Sequence, residues 1–473
     1  MQAAHAWRGD ASILDEVRRR ALDLRADAAQ ADANPWRMGL ATLLLAATLL
    51  FLLIGPNPYS HGTTLDLQTN GATMSPLHRY AWSVLTVMAL PVLWLHRTEL
   101  AGVAKRMWPL LLLLTWFEIT TTWALDPPTS KRRFFLLCCQ ATICAACTVG
   151  LKRPRDMHRA LAICCATIVL IDLASWIFLP RLSQTDIGLA AIHDHKNTLG
   201  LAMMFADFVC ATFFFMQKEW RGRLFWGFIV VAATALLIAS KSKTSINLTL
   251  AALVAAPMLL AVLRSRRGFL FSVASLAFAA LAVAVLAWLC ISYTSGRDPL
   301  APIRGVTFTK RTDVWQFVLA QAELRPLKGA GYLSFWDIDP VVQPSLQTDY
   351  WFAQPNSPTN EAHDGYLDLL VTTGFIGLGL ALFVILRWIV RGLMLLRHAL
   401  RSHSAEVRAG LPYLAFACLF PVLIMLHNLM ESSYFNTVSL FSFMVMLLGI
   451  DVDLRFPRSA QPARPRISLK AAA

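Results

Sequence analysis

Long apolar stretches separated by short polar ones fill most of this 473-residue chain. Apolar runs at roughly 38–55, 80–95, 108–125, 134–151, 157–179, 198–216, 224–239, 246–263, 269–291, 366–388, 411–430 and 435–450 approach or reach the length that crosses a bilayer. The pattern predicts an all-α integral membrane protein of about twelve transmembrane helices. The second and seventh runs are the shortest. One polar interval stands apart: residues 293–365, too long for a connector and placed between the ninth and tenth runs. The expected organisation is a tail over 1–37, helices 1–9 over 38–292, the large loop 293–365, helices 10–12 over 366–450, and a second tail over 451–473.

Composition agrees. Residues are 56% hydrophobic and only 15% charged, whereas soluble domains carry about a quarter charged residues. The net charge of +14 could be read as a nucleic-acid footprint. It is better explained by the Lys and Arg that gather in cytoplasmic loops. With the N-terminus inside, 29 of the 43 Lys and Arg residues fall on the inner side and 14 on the outer, which predicts both termini cytoplasmic. Nine cysteines lie within or at the ends of apolar runs, where Cys acts as a small hydrophobe, and no disulfide framework is implied. The first 37 residues are polar and do not read as a cleavable signal peptide. Leu14, Val17, Ala21 and Leu24 fit either an amphipathic helix on the inner leaflet or a solvated tail.

The predicted topology gathers the unusual polar segments on the outer side: 126–133, 193–197, 240–245, the long loop, and 427–433. Each has a bland reading. In His193-Asp-His-Lys-Asn197, Asn197 would cap the next helix and the rest would be solvated. Against that, His195 and Lys196 oppose the charge bias of their side, and Lys is a point charge suited to phosphate. In Ser240-Lys-Ser-Lys-Thr-Ser245 the lysine stems could snorkel to headgroups. Yet hydroxyls beside Lys241 and Lys243 also suit an anionic group. Arg311 offers a rigid five-donor fork to a phosphate, or pairs with Asp313 as a surface residue. Its aromatic neighbours Phe308, Trp315 and Phe317 predict an amphipathic helix lying on the membrane.

His363 precedes the tenth run. Its ordinary pKa near 6.5 lets it exchange a proton at neutral pH, with Glu361 or Asp364 orienting it. Arg132 and Arg133, with Lys131, either anchor the interface or share in an anion-binding surface. His427, Asn428 and Glu431 end the eleventh run, and ionisable groups at that depth are functional candidates. The chain has no P-loop, no dinucleotide fingerprint, no His-Glu-x-x-His and no Asp-x-Asp pair in the loop. Neither ATP nor a metal is called for.

Taken in order, the segments 195–200 (HKNTLG), 240–245 (SKSKTS), 311–315 (RTDVW), Gly329-Ala-Gly331 with Tyr332, 363–378 (HDGYLDLLVTTGFIGL) and 428–433 (NLMESS) resemble the O-antigen ligase/polymerase superfamily of bacterial envelope enzymes. The likeness covers roughly residues 110–450 and is nearest to the exopolysaccharide-polymerase branch. It implies a C-type membrane glycosyltransferase bundle in the bacterial inner membrane, with a large periplasmic loop. It also implies a glycan donor on undecaprenyl diphosphate and catalysis without a metal or other cofactor. By resemblance, Arg311 grips the diphosphate and His363 deprotonates the acceptor hydroxyl, with Glu361 beside it. Lys241, Lys243, His195, Lys196, Asn197, Arg132, Arg133, Asn428 and Glu431 are the expected substrate contacts. Lys243 stands where the family usually has arginine, keeping the charge and losing the two-pronged grip. Three functions are open: polymerisation of lipid-linked repeat units, ligation of the glycan to lipid A core or protein, and transport of the glycan. Transporters tend to show inverted repeats and midplane charges, and this chain collects its charges on one face. Membrane lipids and other polysaccharide assembly and export proteins are the further partners implied.

Overall fold

A computed structural model describes residues 35–55, 57–60, 76–265, 311–354, 359–437 and 439–456. The expected ninth run at 269–291, Cys290, Phe308 and the N-terminal pattern at 14–24 lie outside the described residues. The principal helices are α1 (Pro35–Ile54), α2 (Pro76–Leu95), α3 (Arg97–Arg106), α4 (Trp108–Thr120), α5 (Pro127–Gly150), α6 (Pro154–Phe178), α7 (Lys196–Phe214), α8 (Trp220–Ser240), α9 (Lys243–Arg264), α10 (Arg311–Leu324), α11 (Gly365–Arg401), α12 (Leu411–His427) and α13 (Leu440–Arg455). Every expected apolar run within the described residues falls on one of them. Proline opens the first turn of α4, α5, α6 and α12, where its missing N–H forfeits no helical bond.

Among the described residues, seven helices are long and apolar enough to cross a bilayer: α1, α5, α6, α7, α8, α9 and α11. The bent pair α2–α3, turning through 105°, makes an eighth if it is one span. The chain is thus a multi-pass membrane protein. Helices α4, α12 and α13, which the apolar pattern counts as full spans, have 13, 17 and 16 residues and fall short of that test by length. The eight described cysteines are free and all but Cys138 are buried, as small hydrophobes should be.

The described part of the long loop has its own apolar core. Val314, Phe317 and Val318 of α10 pack with Phe335, Trp336 and Phe352 of the loop and with Leu370 and Val371 of α11. Phe317, which the pattern assigned to the membrane surface, is buried in this core instead.

The loop docks where α11 is interrupted. Gly374 breaks that helix with φ 70° and ψ −177°. The loop uses the gap: the Phe375 N–H donates to Pro326 O, Ala330 N–H to Val371 O and Gly331 N–H to Thr372 O, each at 2.8 Å. A Cβ on Gly374 would meet Leu327 O at 2.2 Å, and one on Gly329 would meet the Thr372 carbonyl carbon at 2.4 Å. The Gly329-Ala-Gly331 motif is therefore a backbone-to-backbone contact that no side chain would permit.

The opposite end of the bundle carries a charge network that the sequence pattern presented as plain basic connectors. Asp453 accepts from Arg387 at 2.6 Å, Arg391 at 2.7 Å and Trp388 Nε1 at 2.9 Å. Asp451 accepts from Arg455 at 2.6 Å and from the Tyr413 hydroxyl at 2.8 Å. These two acids lie beyond the expected boundary at 450, because α13 continues to Arg455. Pairing is what permits carboxylates so deeply buried.

Candidate active site

The first helical turn of α11 and the turn after α12 are built as one unit. Asp364 caps α11, accepting from the backbone N–H of Tyr366 at 2.9 Å and Leu367 at 3.0 Å. The Gly365 N–H donates to Asn428 O at 2.8 Å. Asn428, fully buried, accepts through Oδ1 from the N–H of Ser433 (2.8 Å) and Tyr434 (3.1 Å) and donates to Ile424 O at 2.9 Å. That set folds the chain back on itself and delivers Met430 and Glu431 to His363. Asn428, proposed from sequence as a substrate contact, has these backbone partners and shapes the turn.

Three separate segments then converge. Arg311 opens α10 and donates to Met430 O, and its second terminal nitrogen lies 3.3 Å from Glu431 Oε1. The other Glu431 oxygen lies 3.5 Å from His363 Nδ1, and Glu361 Oε1 lies 2.7 Å from the same nitrogen. The Glu361 contact is an ion pair by distance but is poorly aligned for a hydrogen bond, so charge carries it. His363 has φ 53°, a left-handed conformation unusual for a side chain of this size and of the kind found at functional sites.

The electrostatics follow from the geometry. Burial disfavours the imidazolium of His363, but the contacts and charges of Glu361 and Glu431 outweigh it and raise its pKa to about 9. Burial raises the Glu361 carboxyl against the pull of His363. For Glu431, burial also opposes ionisation, but His363 and Arg311 prevail and hold it below the usual range. The result is an alternating row of cation, anion, cation and anion: Arg311, Glu431, His363, Glu361. His363 keeps a third of its side chain exposed, so a ligand can reach the ring.

The lysine and histidine motifs meet one another. His195, not Asn197, is the N-cap of α7: its Nδ1 accepts from the Asn197 N–H at 3.2 Å. Asn197 itself lies inside the first turn and is exposed. Beneath them, His193 Nε2 and Asp172 Oδ2 form a buried pair at 3.0 Å. Gly200 of α7 faces the turn between α8 and α9, where a Cβ would come within 2.5 Å of Ser242. That turn carries Lys241, with φ 56°, and Lys243, both exposed. Lys196 reaches Ile187 O at 3.4 Å, in the small hairpin of β1 (Gln184–Thr185) and β2 (Gly188–Leu189). Burial lowers the pKa of His195, and among the charges acting on it is Glu431. Of these groups, His195 is the one on which a charge of the His363 row, Glu431, acts.

Arg133 serves a different place. Its guanidinium donates to the carbonyls of Leu333 (2.5 Å), Trp336 (2.9 Å) and Asp337 (2.7 Å), fastening the loop to α5. Arg132 is exposed and donates to Thr129 Oγ1 at 2.8 Å. Neither has a described contact with the His363 row.

Sequence reasoning gave no role to Asp368. Its carboxylate accepts from Trp336 Nε1 at 2.7 Å, from the Ala362 N–H at 3.1 Å and from the Ser432 hydroxyl. The available signal was spacing: Asp368 lies four residues after the cap Asp364, on the same helix face.

Glu361, His363 and Glu431 could each offer one ligand atom to a metal ion, all within 4.8 Å of one another. The donor set suits a zinc- or manganese-class ion. Against it stand the neighbouring Arg311 charge and the proton that His363 holds below pH 9.

Residues 228–384 match the family model described as O-antigen ligase, Wzy_C. That stretch includes Lys241, Lys243, Arg311, Glu361 and His363. The chain is also similar to the exopolysaccharide production protein ExoQ of Rhizobium meliloti (strain 1021), 25% identical over 317 residues, 64% of this chain and 70% of that protein. Both matches support the O-antigen ligase/polymerase superfamily that the motifs resemble, and with it a polysaccharide polymerase or ligase.

Proposed function

We propose that this protein is a membrane glycosyltransferase that polymerises oligosaccharide repeat units carried on a lipid diphosphate, undecaprenyl diphosphate by resemblance. The observation that carries the reading is the convergence of Arg311, Glu431, His363 and Glu361 from three separate segments on one partly open site. In the reaction, an acceptor sugar hydroxyl attacks the anomeric carbon of the donor, with inversion. The new glycosidic C–O bond forms as the sugar–phosphate C–O bond breaks, and the lipid diphosphate leaves with the bonding electrons. His363 Nε2 takes the hydroxyl proton, since Nδ1 is buried against the two carboxylates. Arg311 stabilises the charge that develops on the leaving diphosphate, and Lys241, Lys243 and Lys196 are its proposed further contacts.

The acids beside His363 set a balance. They make the neutral imidazole a stronger base and make it scarcer at neutral pH. On this reading the site faces the periplasm, the termini are cytoplasmic, and no metal takes part. The Lys and Arg bias supports that orientation.

A second reading, transfer of the glycan to lipid A core or protein, is favoured by the O-antigen ligase description of the matching family model. One experiment separates them. Purified protein is given a lipid-diphosphate repeat unit with no other acceptor. Longer chains are the expected product. No elongation, followed by transfer once lipid A core is added, makes the protein a ligase. No transfer to either rejects both. His363→Ala should lower the rate at least about 100-fold, as loss of a general base does, with membrane insertion intact.

A further inference from the structure

We propose that Asp368 is the positioning residue of this site, fixing the two carboxylates that flank His363. The kinetic part of this inference rests on the glycosyl-transfer reading. The positional part does not.

The argument is one of connections. Glu361 and Glu431 come from segments far apart in the chain, and neither is inside a helix. Asp368 ties both down by the residue next to each. Ala362, which follows Glu361 and precedes His363, donates its N–H to both Asp368 oxygens, at 3.2 and 3.1 Å. Ser432, which follows Glu431, donates its hydroxyl to Oδ2. Trp336 donates to Oδ1 at 2.7 Å, and its own carbonyl is held by Arg133 on α5. One carboxylate in the first turns of α11 therefore gathers the loop, the His363 turn and the α12–α13 connection. Its described hydrogen-bond donors are all neutral. A buried carboxylate needs such donors, and each donor here is also an anchor. Losing Asp368 leaves an indole N–H and a backbone N–H without their acceptor and loosens both acids, with the Trp315 Nε1 bond to Ala362 O at 2.9 Å and the Arg311 contact to Glu431 still in place. Misplacement of a reacting group by about 1 Å costs on the order of 100-fold in rate.

The test uses the full-length protein in detergent or nanodiscs. The charged groups bearing on His363 are Glu361 from its own turn, Glu431 from the α12–α13 connection, and, through those acids, Arg311, His427, His195, Asp337 and Asp368. The first readout is the pH midpoint at which diethyl pyrocarbonate modifies His363, followed by mass spectrometry, and it needs no substrate. The wild-type midpoint should lie at about 9. Asp368→Ala should move it down toward the unperturbed value of about 6.5, because the acids no longer hold their places. Asp368→Asn should leave it nearly unchanged, since the amide oxygen still accepts from Trp336 and Ala362 and the amide nitrogen can donate to Ser432. The second readout is turnover: Asp368→Ala should lower kcat about 100-fold with KM for the lipid-linked donor within about threefold, and Asp368→Asn should restore most of it. If the Ala variant does not fold, Trp336→Phe and Ser432→Ala replace it, each expected to lower the midpoint and kcat at unchanged KM. A wild-type midpoint in Asp368→Ala, or in both single-donor variants, overturns the proposal. A shifted midpoint in a protein that transfers no glycan keeps the positioning role and rejects the glycosyl-transfer reading.

Discussion

His363 Nδ1 sits 2.7 Å from Glu361 Oε1, two residues back in the same turn, and this contact keeps the imidazole charged at neutral pH. A base must be neutral to act. With the His363 pKa raised to about 9, kcat/KM should climb with pH and level off only above that value. Removing one flanking charge should free the ring sooner. Glu361→Gln is expected to move the rise roughly one unit lower. A pH–rate profile of both proteins checks it, and coincident profiles would take Glu361 out of the site's electrostatics.

Lys243 and Lys241 stand exposed at the turn between α8 and α9. A diphosphate held there gains from charge, and gains more from a bidentate donor. Lys243→Arg should keep or lower KM for the lipid-linked donor, and Lys243→Ala should raise it about tenfold, the loss of one charge-assisted hydrogen bond. Initial rates against donor concentration give the answer. Unchanged KM in the alanine variant would mean that the phosphate lies elsewhere.

The ligand atoms of Glu361, His363 and Glu431 are close enough to hold a metal, so its involvement is open to direct trial. Arg311 already supplies the positive charge at Glu431. Chelation with EDTA is expected to leave turnover intact. Full inhibition reversed by one divalent ion would assign that ion to these three residues.

Gly374 is where the loop enters α11. Alanine there must adopt φ 70° and place its Cβ 2.2 Å from Leu327 O. The backbone penalty is about 1–3 kcal/mol before the clash is counted. Thermal unfolding in detergent should show a lower midpoint for Gly374→Ala and faster proteolysis within 326–354. Equal stability would show that the loop does not depend on this junction.

How much was legible in advance differs from residue to residue. The helices were, since a bilayer span asks only for length and apolarity, and both are summed along the chain. Motif order exposed the likeness to polysaccharide polymerases and ligases. Glu361, His363 and Glu431 stood out because charge at the end of an apolar run is costly, and Arg311 because its five-donor fork suits a phosphate. The helix cap was misread at Asn197: any side chain with an acceptor can cap, and His195 offers its ring nitrogen. Arg133 looked like one more outward cation, and only the folded loop shows three carbonyls filling its fork.

Sequence alone therefore determined that the chain is a helical membrane protein and which few ionisable residues it places at helix ends. Tertiary structure alone decided which of them touch. Arg311 meets the Glu431 turn 119 residues away, and Asp368 meets Ser432 across 64. Hydropathy is a local sum, but a hydrogen bond needs two atoms within about 3 Å. Which distant atoms come that close depends on how the helices pack, on a glycine break in α11 and on a turn folded around Asn428.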